Sequence, residues 1–234
     1  MSGSVQKIWR HERKFRITPL QYAGAVPWCR GAMKPDPHAG PGGDYFIRSI
    51  YLDSLSDDDY RDKTRGELSR KKIRLRVYSE NPETVHLERK NKTAVQNRKE
   101  REVLTLAEAE ALLAGDLNVL LRRGTETALR FYAEMRMRCY RPVVSVEYER
   151  EAYVLPFEDI RVTFDKAVRS SISDLGLTGR KNMTPLFPDG EIVLEIKYNE
   201  EFPRWLSDRL GHPVDEVQLA VSKFGLSLAP WRAD

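Results

Sequence analysis

The segment KKIRLRVY, residues 71–78, limits what this chain can fold into more than any other stretch. Successive side chains on a β-strand point to opposite faces. As a strand, the segment puts Lys72, Arg74 and Arg76 on one face and Ile73, Leu75 and Val77 on the other. The same split recurs along the chain. Arg10, Glu12, Lys14 and Arg16 oppose Phe15 and Ile17. His86, Glu88 and Lys90 oppose Leu87. Tyr148, Arg150 and Ala152 oppose Glu147, Glu149 and Glu151. Arg161, Thr163 and Asp165 oppose Val162 and Phe164. Glu191, Val193, Glu195 and Lys197 oppose Ile192, Leu194 and Ile196.

An ordinary sheet with one face on the core and one in water accounts for alternation in any single strand. Here the charged faces are nearly continuous over at least five strands and favour Arg, a good oxyanion ligand. Like charges opposite each other on neighbouring strands repel, so Arg74 and Arg76 need carboxylates or a bound anion. If the sheet closes into a barrel, the charged face lies inside and the apolar face packs outward against helices. Such an interior holds a chain of phosphates. Interspersed carboxylates, Glu12, Glu88 and Glu195, could hold a divalent cation against phosphate oxygens.

Strands are expected at Arg10–Thr18, Tyr45–Asp53, Ser69–Tyr78, Thr84–Asn91, Glu100–Thr105, Val143–Leu155, Ile160–Asp165 and Glu191–Asn199. Their order suggests antiparallel pairing. Helices are expected at Pro19–Ala32, with Thr18 as cap, and at Thr105–Leu113, Asn118–Arg123, Glu126–Arg138, Pro203–Leu210 and Pro213–Leu228. Phe131, Tyr132 and Met135 read as core, and Tyr45, Tyr51, Tyr148 and Tyr153 as strand packing. Lys34–Asp44, Ser54–Gly66 and Arg169–Asp189 read as loops within one domain, 1–234.

Composition narrows the function classes. The 234 residues are 41% hydrophobic and 32% charged, a globular balance, with a net charge of +4. The two cysteines, Cys29 and Cys139, form no disulfide framework and no metal-type spacing, which suits reduced thiols in the cytoplasm. No apolar run approaches the roughly 20 residues of a membrane span. The four histidines, His11, His38, His86 and His212, form no ligand pair.

HERKF (11–15), RSIYLD (48–53), KKIRLRVY (71–78), HLERKN (86–91), VEYEREAYV (146–154), IRVTFD (160–165), VLEIKY (193–198) and SKFG (222–225) appear in that order. Together they resemble the VTC domain, the polyphosphate polymerase branch of the triphosphate tunnel metalloenzymes, over nearly the whole chain. The resemblance implies an α+β fold: an eight-stranded antiparallel barrel with helices outside and a C-terminal helix. It implies transfer of the γ-phosphate of ATP to a growing polyphosphate chain with Mn²⁺ or Mg²⁺. By motif, the phosphate ligands fall on Lys14, Arg74, Arg76, Lys90, Arg150, Arg161, Lys197 and Lys223. The metal-holding carboxylate falls on Glu195, with Glu12 and Glu88 as further candidates and Lys99 as an extra cation. The wider superfamily starts with Glu-x-Glu-x-Lys. Here Arg10 stands in the first position, which favours the polymerase branch and removes one acid. A tripolyphosphate hydrolase and a non-catalytic polyphosphate or nucleotide binder are the alternatives. No nucleic-acid partner is expected, because the Arg-bearing strands alternate with aliphatics instead of stacking aromatics.

Overall fold

The computed structural model describes residues 10–93, 97–155, 160–187, 189–199, 206, 208, 210 and 222–232. In chain order the elements are β1 (Arg10–Ile17), α1 (Pro19–Ala32), β2 (Lys34–Pro35), β3 (Asp44–Asp53), α2 (Asp58–Thr64), β4 (Arg70–Val77), β5 (Thr84–Lys92) and β6 (Asn97–Thr105). There follow α3 (Leu106–Leu113), α4 (Asn118–Arg123), α5 (Glu126–Met137), β7 (Arg141–Leu155), β8 (Ile160–Ser171), β9 (Thr184–Pro185) and β10 (Ile192–Asn199). Last come α6 (Lys223–Leu228) and a 3₁₀ turn, Ala229–Trp231.

The fold is mixed α+β around a large antiparallel sheet. The strands pair in the order β1-β10-β8-β7-β3-β4-β5-β6, with β2 on β7 and β9 on β8. Among the described residues this order has two ends, β1 and β6, and the pairing closes no barrel. No helix among the described residues is long and apolar enough to cross a membrane.

The chain divides into two compact units. The first comprises 1–45, 148–168 and 187–221; the second comprises 46–147, 169–186 and 222–234. In the first, β10 pairs with β1 and β8 so that Phe15 lies opposite Leu194 and Leu194 opposite Phe164. These side chains join Ile17, Val162 and Ile196 in a core covered by Ala25, Val26 and Cys29 of α1. Helix α1 starts where expected. The Thr18 hydroxyl accepts the Gln21 N–H, the Gln21 side chain accepts the Thr18 N–H, and Pro19 needs no donor at its position. Buried Glu151 pins the helix by accepting from the Tyr22 and Tyr153 hydroxyls, from Arg30 (2.9 Å) and from Lys166 (3.2 Å).

In the second unit, Ile73, Leu75 and Val77 of β4 pack with Ile50, Leu52, Leu87 and Leu104 beneath α3, α4 and α5. Phe131 and Met135 are in this core, as the sequence suggests, and Tyr132 packs against it. Each fully buried aliphatic contributes roughly 1.5–3 kcal/mol. The apolar half of the alternation is thus consumed by a core in each unit, and the charged half lies on the opposite face.

The sequence misplaces three details, the smallest being that the expected loop at 34–44 opens on the short strand β2. The segment 54–66 is not all loop, because α2 forms within it without an apolar stripe. Instead the buried Asp53 carboxylate accepts the N–H groups of Ser54 (2.7 Å), Asp59 (2.9 Å) and Tyr60 (3.0 Å). The segment 169–189 is partly strand, in β8 and β9, and Arg48 secures part of it. Arg48 is fully buried, pairs with Glu147 at 2.8 Å, and donates to the Leu177 and Gly179 carbonyls at 2.9 Å each. The helix expected at 203–210 lies mostly outside the described residues. Of the one expected at 213–228, only α6 lies within them.

Candidate functional site

The charged faces of the two units carry separate constellations. In the first unit, the register sets Glu12 opposite Lys197 and Lys197 opposite Arg161. One step along, Lys14 lies opposite Glu195 and Glu195 opposite Thr163. Residues two apart along each strand share the face, so acid and base alternate between β1 and β10, while Arg161 of β8 adds a second base beside Lys197. Lys14 pairs with Glu12 and lies 2.9 Å from Glu195 Oε2, while Lys197 lies 2.6 Å from Glu195 Oε1. Burial alone would lower the Lys14 pKa, but the charges of Glu195 and Glu12 outweigh it and raise the pKa above the usual lysine value. For Lys197 burial prevails over Glu195, and its pKa is lowered.

Arg150 reaches the fully buried Asp165 with two bonds, 2.6 Å from Nε and 2.8 Å from Nη2, and lies over the Tyr148 ring. Arg161 is held by Asp36 at 2.6 Å and donates to the Tyr45 hydroxyl at 3.1 Å. Asp36 also accepts the His38 N–H at 2.9 Å.

In the second unit, Ser49 lies opposite Arg76 and Tyr51 opposite Arg74; across β4, Arg74 faces Glu88 and Arg76 faces His86. Arg74 donates to Glu88 Oε2 from Nε (2.9 Å) and Nη2 (2.7 Å) and to the Tyr51 hydroxyl (3.4 Å). Arg76 donates to the Ser49 hydroxyl at 3.0 Å, and Lys99 lies 2.5 Å from Glu88 Oε1. Burial would raise the Glu88 pKa, but Arg74, Arg76 and Lys99 pull it down to about 2. Tyr51 is shifted likewise: burial opposes ionisation, yet Arg74, Arg76 and Lys223 lower its pKa. Lys223 opens α6, which Ser222 caps by accepting the Gly225 N–H at 3.2 Å. Phe224 in that helix meets the Tyr51 ring, with centroids 5.0 Å apart. Lys90 is exposed on β5, opposite Lys72 and Lys99.

The expected residues therefore fall into two sets. Glu12, Lys14, Arg150, Arg161, Glu195 and Lys197 are in the first unit. Arg74, Arg76, Glu88, Lys90, Lys99 and Lys223 are in the second. The side chain of Arg10 lies outside the described residues. Sequence reasoning missed Asp36, Ser49 and Arg101, and it read Tyr45 and Tyr51 only as packing. Strand parity could have found Arg101, which lies opposite Glu88. No local signal marks Asp36, whose partner Arg161 is remote in sequence.

The donor set also bears on metal binding. Among the described residues no three His, Cys, Asp or Glu side chains form a metal-type cluster. Glu12 and Glu195 nevertheless contact the same Lys14 ammonium, so their oxygens lie where one small cation can meet both. Two carboxylates suit a Mg²⁺-like ion that takes its other ligands from phosphate and water.

Arg- and Lys-lined sheet faces with interspersed carboxylates are the candidate site of this α+β protein. The chain belongs to the VTC domain family, whose model matches residues 9–232. Among solved structures it is similar to a Hippeastrum protein provisionally named an adenylyl cyclase and described by a dominant triphosphatase activity. That match has 12% identity and a TM-score of 0.58, covering 95% of this chain and 96% of that one. It is also similar to a protein from Bacillus halodurans provisionally named an adenylate cyclase, at 13% identity and a TM-score of 0.48, covering 85% and 83%. The Hippeastrum likeness bears on fold alone. No curated protein matches the chain in sequence.

Proposed function

We propose that this protein is a polyphosphate polymerase that transfers the γ-phosphate of ATP to the end of an inorganic polyphosphate chain. The observation that carries the reading is the grouping of Arg74, Arg76 and Lys99 around the single carboxylate of Glu88. Three cations converge there on one acid, a concentration of positive charge that suits oxyanions. The closed eight-stranded barrel with its tunnel belongs to the same proposal, and its support is family membership.

Phosphoryl transfer needs mainly positioning and charge neutralisation. An oxygen of the terminal chain phosphate attacks the γ-phosphorus, the bond to the β-γ bridging oxygen breaks, and ADP leaves. Arg74, Arg76, Lys90, Arg150, Arg161, Lys197 and Lys223 bind and orient the phosphates, and Lys14 aligns with them. A divalent cation, Mn²⁺ or Mg²⁺, would sit with Glu12 and Glu195 and neutralise phosphate charge. Glu88, ringed by cations, serves better as a counter-ion that keeps Arg74 and Arg76 in place than as a metal ligand.

Incubation with ATP and Mn²⁺, with the products resolved on a gel, tests the reading. A ladder of long polyphosphate is expected. Orthophosphate alone would instead support a triphosphate hydrolase, with water as acceptor.

A further inference from the structure

Lys63, Arg70 and Lys92 lie outside every position that the family motifs assign. Arg70 and Lys92 are direct cross-strand partners on β4 and β5. Lys63 lies in the last turn of α2, which packs against β4, and burial and then the charges of Arg70 and Lys92 lower its pKa. Among the described residues none of the three forms an ion pair; Arg70 donates to the Glu67 backbone carbonyl at 3.2 Å.

This group continues the face described above. Two residues inward come Lys72, Lys90 and Lys99, side by side across three strands. Next come Arg74, Glu88 and Arg101, then Arg76 and His86. From Arg70 to Arg76 the strand runs roughly 20 Å. Along these rows the single carboxylate among the described residues is Glu88. A solvated sheet face ordinarily mixes signs, because like charges directly opposite one another destabilise the pairing. A linear polyanion with one charge per repeat matches the length and sign of this face, whereas a nucleotide triphosphate is too short to span it.

We infer that Lys63, Arg70 and Lys92 form an outer binding site for long-chain inorganic polyphosphate, continuous with the row of Lys72, Lys90 and Lys99. The inference rests on the phosphate-binding reading of Arg74 and Arg76.

The test compares the full chain with a Lys63→Ser/Arg70→Ser/Lys92→Ser variant, each titrated without metal with tripolyphosphate and with a long-chain polyphosphate. The wild type should bind the long chain about tenfold more tightly, and the variant should lose most of that preference while holding tripolyphosphate within about twofold. The salt dependence of long-chain binding should also become shallower by about 2 in slope, for three lost contacts at roughly 0.7 each. Lys92→Glu alone, on a protein with an unchanged melting temperature, should reproduce part of the loss. An undiminished length preference in the triple variant overturns the inference. So does equally tight binding of single-stranded RNA of matched charge. Gels of the ATP reaction separate this from the polymerase reading. Length preference without polymer synthesis leaves the outer site standing, and polymer synthesis without length preference removes it.

Discussion

Lys14 Nζ lies 2.9 Å from Glu195 Oε2, and the same ammonium pairs with Glu12. A lysine between two carboxylates does electrostatically what a small cation would do there. The second oxygen of Glu195 is taken by Lys197, so one acid balances two ammonium groups.

Glu195→Gln is therefore expected to separate binding from turnover. It leaves Lys14 with Glu12 alone and removes the carboxylate nearest Lys197. Metal-free tripolyphosphate should bind as well or more tightly, since two cations lose an internal competitor. Metal-dependent turnover should fall on the order of 100-fold, the scale of one lost preorganised charge. Calorimetry and a Mn²⁺ titration of the rate check both; an unchanged rate would move the metal away from this acid.

Replacing Arg74 and Arg76 together by Ala should abolish tripolyphosphate binding and also weaken the fold. Glu88 is 2% exposed, and the double variant leaves it only Lys99 as a charged partner among those that now contact it. A buried carboxylate stripped of its donors costs about 1–3 kcal/mol. Adding Glu88→Gln should recover much of that stability without recovering binding. Denaturant melts and titrations read the two effects independently. Equal loss of stability with and without Glu88→Gln would show that the arginines act through packing.

The strand faces were legible in the sequence because parity is a local property. Once KKIRLRVY is a strand, Arg74 and Arg76 must share a side, and the same holds for Glu195 and Lys197. Thr18 and Pro19 likewise announce the start of α1 within a few residues. Long-range partners were not legible. Asp36 sits in a Pro- and Gly-rich segment that resembles a plain surface loop, yet it holds Arg161 at 2.6 Å. Helix α2 has no amphipathic stripe to betray it, and its anchor is a carboxylate on the preceding strand. Tyr51 read as packing because a strand tyrosine usually packs; its hydroxyl lies near Arg74 only through the β3–β4 register.

Acid should unfold the protein late on account of Glu88. Its pKa is lowered from 4.5 to about 2 by charges that overcome burial. A depressed folded-state pKa means that the stabilisation is fully present above the unfolded value and is lost as pH falls through the folded one. The Glu88 contribution should hold above pH 4.5 and disappear toward pH 2. Melts from pH 6 to pH 2 should therefore converge for the wild type and Glu88→Gln only at the acid end of that range.

Asp59 should act in the opposite direction. It is fully buried, and its two carboxylate oxygens lie 3.0 Å from the Tyr140 hydroxyl, which donates to them. Burial first, and then the nearby charge of Asp53, push its pKa from 3.8 up to about 7, against the pull of Lys71 and the Tyr140 bond; Glu134 adds to the rise. Between those two values the folded state holds a proton that the unfolded state has released, so stability falls as pH rises through the window and levels off above it. The loss across that window should be on the order of 4 kcal/mol. Asp59→Asn keeps an oxygen for Tyr140 and cannot ionise, so its stability should not share this decline. The gap between the two proteins should open from pH 4 to pH 7 and stay constant above. Parallel curves for both across that range would mean that Asp59 is ionised in the folded protein throughout, with Lys71 prevailing over burial.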